Sequence, residues 1–388
     1  MSASGEEARC ANSGFAHSAR SITSKQFFSG LTDGVRRSFA AHIPLYAASA
    51  AIFGSLLLLL SFYHVSMPLS SGLFFLKLLA QLLLLAVPLV MAHDLYDLWR
   101  SGAPNGLAKI LAVRMAERIL KHDRFGNGVH AIITLTPMMM VFTVVKENIT
   151  AINPFSWDKT FAEWDVALGA GHMPWQALQP LLDHPVIVIG FNLLYHLWFA
   201  AMFGLLIWQA FSKHATALRL QFLLTFCFVW FFGGSVLAIV FSSAGPCYYA
   251  DLFAGPSPFA PQMTFLDRIG PDWIWSLAVQ RDLWTSYVTG SGTIKGISAM
   301  PSMHVTIAVV NALLCWRVDR RLGIAAFVFA ALIFLGSIVL LWHYAVDGIA
   351  GAVIACLCWA AAGTIVQRWH AYVQRRRDAG GEIAIQSV

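Results

Sequence analysis

The sequence predicts an all-α fold: a polytopic integral membrane helical bundle of about eight transmembrane helices. Three observations predict it. The 388 residues are 58% hydrophobic and only 12% charged, where soluble domains carry about 25% charged residues. Mean hydropathy is +0.65. Apolar runs of about 20 residues, the length that crosses a bilayer, recur along the chain.

Residues 1–42 are polar, and the first apolar run comes too late for a cleavable signal peptide. They are read as a flexible cytosolic tail. Spans are then expected near 43–63, 73–93, 129–146, 185–210, 219–241, 302–318, 323–342 and 347–367. The sixth is short, so its outer end has room for structure that does not face lipid. Residues 43–128 thus hold two spans and a basic, partly amphipathic cytosolic segment at 107–121, suited to anionic headgroups. Residues 129–367 hold six spans, and 368–388 form a basic cytosolic tail.

The loops support this count. Arg20, Lys25, Arg36 and Arg37 precede the first span, and the loop 64–72 has no Lys or Arg. The loop 94–128 carries Arg100, Lys109, Arg114, Arg118, Lys121 and Arg124. Lys159 stands among Glu147, Asp158, Glu163, Asp165 and Asp183 in the loop 147–184. Lys213 and Arg219 flank the next loop, Arg317, Arg320 and Arg321 a later one, and Arg375, Arg376 and Arg377 follow the last span. Alternating basic loops place both termini in the cytosol. Compact loops and short tails point to a bacterial inner membrane, with the other face periplasmic; a luminal face is the alternative. The net charge of +6 is explained by the basic loops, so nucleic acid is not implied as a partner. Cys10, Cys227, Cys247, Cys315, Cys356 and Cys358 are scattered, without the spacing of a zinc site or a disulfide framework.

Two outer segments look interfacial. In "SWDKTFAEWDVALG", Trp157, Phe161, Trp164 and Leu168 form one helical stripe with acids opposite. "PDWIWSLAVQRDLWTSY" is aromatic-rich but less regular. Such segments serve as an aromatic belt or as a lid over a lipid entry path. Within the spans, His196, Asn192 and Asn311 are expected to hydrogen-bond between helices, with His196 able to line a headgroup cavity. Lys77 is expected to snorkel to the outer interface.

Chemistry concentrates at two places. His304 follows Pro301-Ser302 at the outer, N-terminal end of the sixth span. Such an end offers free N–H groups and the positive pole of the helix dipole, a seat for phosphate to which Ser302 adds a hydroxyl. In "WHYAVD", His343 and Asp347 lie four residues apart between the last two spans, also on the outer side. That spacing lets the carboxylate meet the imidazole, fix its tautomer and leave the other nitrogen nucleophilic. Ionisable groups converging on one membrane face are functional by default.

"AMPSMH", followed about forty residues later by "HYAVD", resembles the second and third motifs of the type 2 phosphatidic acid phosphatase (PAP2) superfamily. "SSAGPCYYADL" is similar to a segment of its inositol phosphorylceramide synthase-like branch. The likeness covers 129–367. It implies a phosphohistidine mechanism without metal or cofactor: His343 attacks phosphorus, Asp347 orients His343, and His304 protonates the leaving oxygen and then activates water or an acceptor hydroxyl. The substrate implied is a phospholipid or a lipid phosphate, and the acceptor a lipid hydroxyl or water.

The chain departs from the pattern in its cations. No lysine is followed after six residues by Arg-Pro; "KENITAINP" has Lys146 and Pro154 but Asn153 in the arginine position, and follows the third span rather than the fifth, so it is read as coincidence. Ser337 stands where the third motif has arginine, and Met303 where the second has glycine. Lys295, Arg281 and Arg268 are the candidate replacements, Lys295 being nearest in sequence. These losses favour a phosphotransferase over a plain phosphatase. The reading from another class is a transporter or non-catalytic protein on the same scaffold.

Overall fold

A computed structural model describes residues 23–67, 69–100, 107–212, 216–292 and 294–379. Among these residues every regular element is helical. Numbering the helices of ten or more residues, α1 is Ser24–Phe39, α2 Ile43–Phe62, α3 Leu69–Arg100, α4 Leu107–Leu120 and α5 Arg124–Glu147. After the short helix α6 (Asp158–Leu168) come α7 (Pro185–Ala210) and α8 (Thr216–Phe228), which continues through a π-helical stretch, Val229–Leu237, to Val240. The short helices α9 (Ala260–Ile269) and α10 (Trp275–Thr289) precede α11 (Met303–Val318), α12 (Arg320–Val339) and α13 (Ala345–Asp378).

Each expected span falls on a helix. Six helical segments are long and apolar enough to cross a membrane, and Met303–Val318 is a shorter apolar helix. Packing of α11 against α12 and α13, and of α8 against α13, places the core around Val310, Leu314, Leu223 and Ala355, each fully buried.

The tails differ from expectation. Residues 24–42 are helical and run directly into α2. Thr23 and Gln26 form a capping box at the start of α1. Arg37 pairs with Asp123 at 2.6 Å, and His130 Nε2 meets the Val35 carbonyl at 2.9 Å, tying α1 to α5. The segment lacks an apolar run because it is an amphipathic helix packed on one side, a pattern weaker in sequence than a span. At the other end α13 continues to Asp378, past the expected boundary at 367. Residues 1–22 and 380–388 lie outside the described residues.

Helix α6 does not divide into the stripe and the acidic face of the sequence pattern. Asp158 and Asp165, set opposite the stripe, are 0% and 2% exposed; of the stripe itself Phe161 is buried, whereas Trp164 and Leu168 are exposed. The acids turn inward because backbone N–H groups of the neighbouring loops await them there. Helix periodicity places residues on a face but does not say which face finds partners.

Candidate active site

The two histidine motifs meet at one end of the bundle. Ser302 caps α11, its hydroxyl accepting from the Val305 N–H at 3.4 Å. His304 therefore sits in the first turn. Its ring stacks on Tyr195 and packs against Trp198, each at 4.2 Å between centroids, and the Trp198 indole donates to the His304 carbonyl at 2.8 Å. α7 thus supplies an aromatic clamp for a side chain that begins α11.

His343 lies in the connection between α12 and α13, its ring centroid 6.2 Å from that of His304. The His343 Nδ1 is 2.8 Å from the Ala299 carbonyl and 3.4 Å from Asp347 Oδ2. Both neighbours are acceptors, so Nδ1 carries the proton and Nε2 keeps its lone pair. Asp347 is fully buried, and its Oδ2 also accepts the Tyr344 N–H at 3.0 Å. The sequence reading assigned the orienting bond to Asp347 alone; the shorter one comes from the backbone of the loop before α11. A backbone partner leaves no signature in sequence.

Helix α6 holds these loops in place. Asp158 accepts the N–H groups of Ala244 and Gly245 at 3.0 and 2.8 Å, and the Tyr344 hydroxyl at 3.0 Å. Asp165 accepts the N–H groups of Ala345 and Val346 at 2.8 and 3.0 Å, capping α13. Burial pushes both carboxyls up, and with the added charge of Asp347 it takes Asp165 to about 6. Gly245, at φ +108°, passes so close to Trp342 that a Cβ would lie 2.8 Å from its carbonyl oxygen.

His304 and His343 line a cavity of about 450 Å³ together with Lys146, His196, Tyr195 and Trp342. Phe142, Trp230, Gly233, Gly234 and Met303 form an apolar wall, with Ser276, Val279 and Leu283 of α10 above it. Among the lining residues Lys146 is the one Lys, Arg, Asp or Glu. The Tyr195 hydroxyl and the Trp342 indole N–H are buried without a hydrogen-bond partner. Such donors are uncommon in folded proteins and are open to a ligand's acceptors.

Lys146, set aside on sequence grounds, is thus the lysine that the fold brings to the cavity. It ends α5, and Gly296, at φ +85°, wraps over its carbonyl. The "KENITAINP" spacing was the available signal. The other candidates fall elsewhere. Ser302 is fully buried as a helix cap and does not line the cavity. Lys295 is exposed, donates to the Gly290 carbonyl at 3.1 Å and lines a neighbouring hollow of about 290 Å³, which Lys146 also borders. Arg281 pairs with Asp267 at 3.0 Å, and Arg268 is exposed; neither lines the cavity. His196 bonds within its own helix, Nδ1 to the Asn192 carbonyl at 2.8 Å, rather than between helices. Asn192 does reach across, donating to the Trp273 carbonyl at 3.1 Å.

Among the described residues, His93, Asp94 and Asp97 form the group whose donor atoms lie close enough to hold a metal ion. It is on α3, outside the histidine cavity, and Asp94 is already paired with Arg118 at 2.6 Å.

Neither the curated proteins nor the solved structures contain a significant match. A family model for the PAP2 superfamily matches residues 159–361, a stretch that holds both histidines, Asp347 and Asp165 but begins just after Asp158. With more than half its length matched, and with the two histidine motifs brought face to face, the chain belongs to the PAP2 superfamily.

Proposed function

We propose that the protein is a lipid phosphotransferase that works through a phosphohistidine on His343, at the outer face of the membrane. His343 Nε2 attacks the phosphorus of a phospholipid donor, and the bond from phosphorus to the lipid oxygen breaks. Protonated His304 gives its proton to that leaving oxygen. The phosphoryl-headgroup is then bonded to Nε2, with the positive imidazole stabilised by the Ala299 carbonyl and Asp347. In the second half an acceptor hydroxyl loses its proton to His304, its oxygen attacks phosphorus, and the N–P bond breaks. Both histidines return to their starting forms.

The observation that carries the choice of substrate is the charge of the cavity. A phosphodiester has one negative charge, and Lys146 is the single basic lysine or arginine side chain of the lining. A phosphomonoester approaches two at neutral pH and is usually met by arginines that bind in pairs. The Tyr195 hydroxyl and Trp342 indole offer neutral donors to the remaining phosphoryl oxygens, and the apolar wall suits a lipid chain. This favours transfer from a diester lipid to a lipid hydroxyl, as in the inositol phosphorylceramide synthase-like branch.

Lipid phosphate phosphatase activity is the second reading, favoured by the family itself, with water replacing the acceptor. Purified protein in vesicles, given a phospholipid labelled in its headgroup phosphate, distinguishes the two. A labelled lipid product that requires an added hydroxyl lipid supports transfer. Inorganic phosphate released from a monoester lipid without need of an acceptor supports hydrolysis.

A further inference from the structure

We infer that Asp158 and Asp165 of helix α6 are positioning residues for His343. This rests on the assignment of His343 as the nucleophile.

A chain of hydrogen bonds leads outward from the imidazole. His343 Nδ1 has two oxygen neighbours, the Ala299 carbonyl and Asp347. Ala299 is held by Ser243, whose carbonyl accepts the Ala299 N–H at 2.9 Å and whose hydroxyl accepts the Met300 N–H at 3.2 Å. The next two residues, Ala244 and Gly245, donate to Asp158. One carboxylate thus fixes the strand of chain on which the shorter of the two His343 contacts depends. The same carboxylate takes the hydroxyl of Tyr344, the residue after His343. Asp165 takes the first two N–H groups of α13, the helix whose first turn carries Asp347. The two acids, seven residues apart and two turns along one helix, therefore control both neighbours of Nδ1 and so the direction of Nε2.

A purely structural role fits poorly. Both acids are buried against neutral donors, and no ion pair to either exists among the described residues. Burying a carboxylate without a counter-charge costs stability. Burial raises the pKa of Asp165 for the same reason. Neutral Asn or Ser would cap α13 more cheaply. What the carboxylates add is several strong acceptor bonds from one rigid group, joining segments distant in sequence. Neither acid lines the cavity, so they act through the loops and not on the substrate.

The test uses full-length protein in lipid nanodiscs, comparing wild type with Asp158→Asn, Asp165→Asn and Asp165→Glu. The readouts are single-turnover formation of the phosphoenzyme, kcat and KM, and backbone hydrogen exchange across residues 341–347. Both Asn variants are expected to fold, to keep KM within about twofold, and to lose about 10- to 100-fold in kcat and in phosphoenzyme formation, as for a misaimed nucleophile. Asp165→Asn should also speed exchange at Ala345 and Val346, and Asp165→Glu should recover part of kcat. Unchanged kcat per folded molecule, or losses that only track the folded fraction, would overturn the inference. Hydrogen exchange reports on the clamp without substrate. A wild type that forms no phosphohistidine while exchange at Ala345 and Val346 still depends on Asp165 would refute the nucleophile and leave the clamp in place; unchanged exchange would refute the clamp itself.

Discussion

The Nδ1 of His343 faces the carbonyl of Ala299 at 2.8 Å, across 44 residues of sequence. The contact joins the two histidine motifs: Ala299 lies five residues before His304. The carbonyl fixes the tautomer, so Nε2 is free, and Asp347 at 3.4 Å adds its charge without making the shorter bond.

His343→Ala should therefore abolish turnover, by about a thousandfold or more, while the protein still folds. Asp347→Asn should cost less than His343→Ala, because the Ala299 carbonyl keeps the imidazole in the reactive tautomer. Steady-state kinetics in nanodiscs check this. Equal losses in the two variants would assign the orienting role to Asp347.

Lys146→Ala should lower kcat/KM by about 100-fold, the loss of a charge-stabilising group in the transition state. Lys295→Ala should stay within about threefold of wild type, because its side chain is exposed and bonded to a loop carbonyl. The reverse ranking, measured on one diester substrate, would move the cationic seat to the outer loop.

Gly296→Ala should damage the same seat indirectly. Its φ of +85° disfavours a side chain, and a Cβ would stand 2.7 Å from the Lys146 carbonyl. A lower Tm with a KM raised in the direction of the Lys146→Ala value is expected. Wild-type values for both would show that this loop does not constrain Lys146.

Asp165 gives a pH dependence of known sign. Its carboxyl titrates near 6 in the folded protein, above the ordinary carboxylate range, because burial disfavours the charge. The folded state then binds the proton more tightly than the unfolded chain. That contribution to stability is complete below about pH 4 and is lost as pH rises through about 6, by at most about 3 kcal/mol. Relative to Asp165→Asn, the wild type should become less stable between pH 4 and 7. A difference in Tm between the two that is flat with pH would remove this account of the carboxyl.

Much of this was legible in the sequence, and the failures share a cause. Spans announce themselves by length and hydropathy, and His304, His343 and Asp347 by motif, so the bundle and its histidine pair were readable. Lys146 stood in the right spacing but was set aside because its helix is distant in sequence from the others; packing alone brings the end of α5 to His304. Asp158 and Asp165 stand opposite the aromatic stripe of α6 in the sequence, a pattern that does not reveal their burial. Their partners are backbone N–H groups 87 and 180 residues away, which no side-chain pattern reports. Ser302 was read as a phosphate donor from its position, while the structure uses it to cap its own helix.

In the proposed mechanism His343 carries the phosphoryl group. The most direct test is to quench purified protein within the first turnover of a donor lipid labelled in its phosphate and locate the label by mass spectrometry. The account predicts an acid-labile adduct on the peptide containing His343, lost in His343→Ala and discharged by a hydroxyl lipid. Label on another residue, or turnover that persists in His343→Ala, would contradict it.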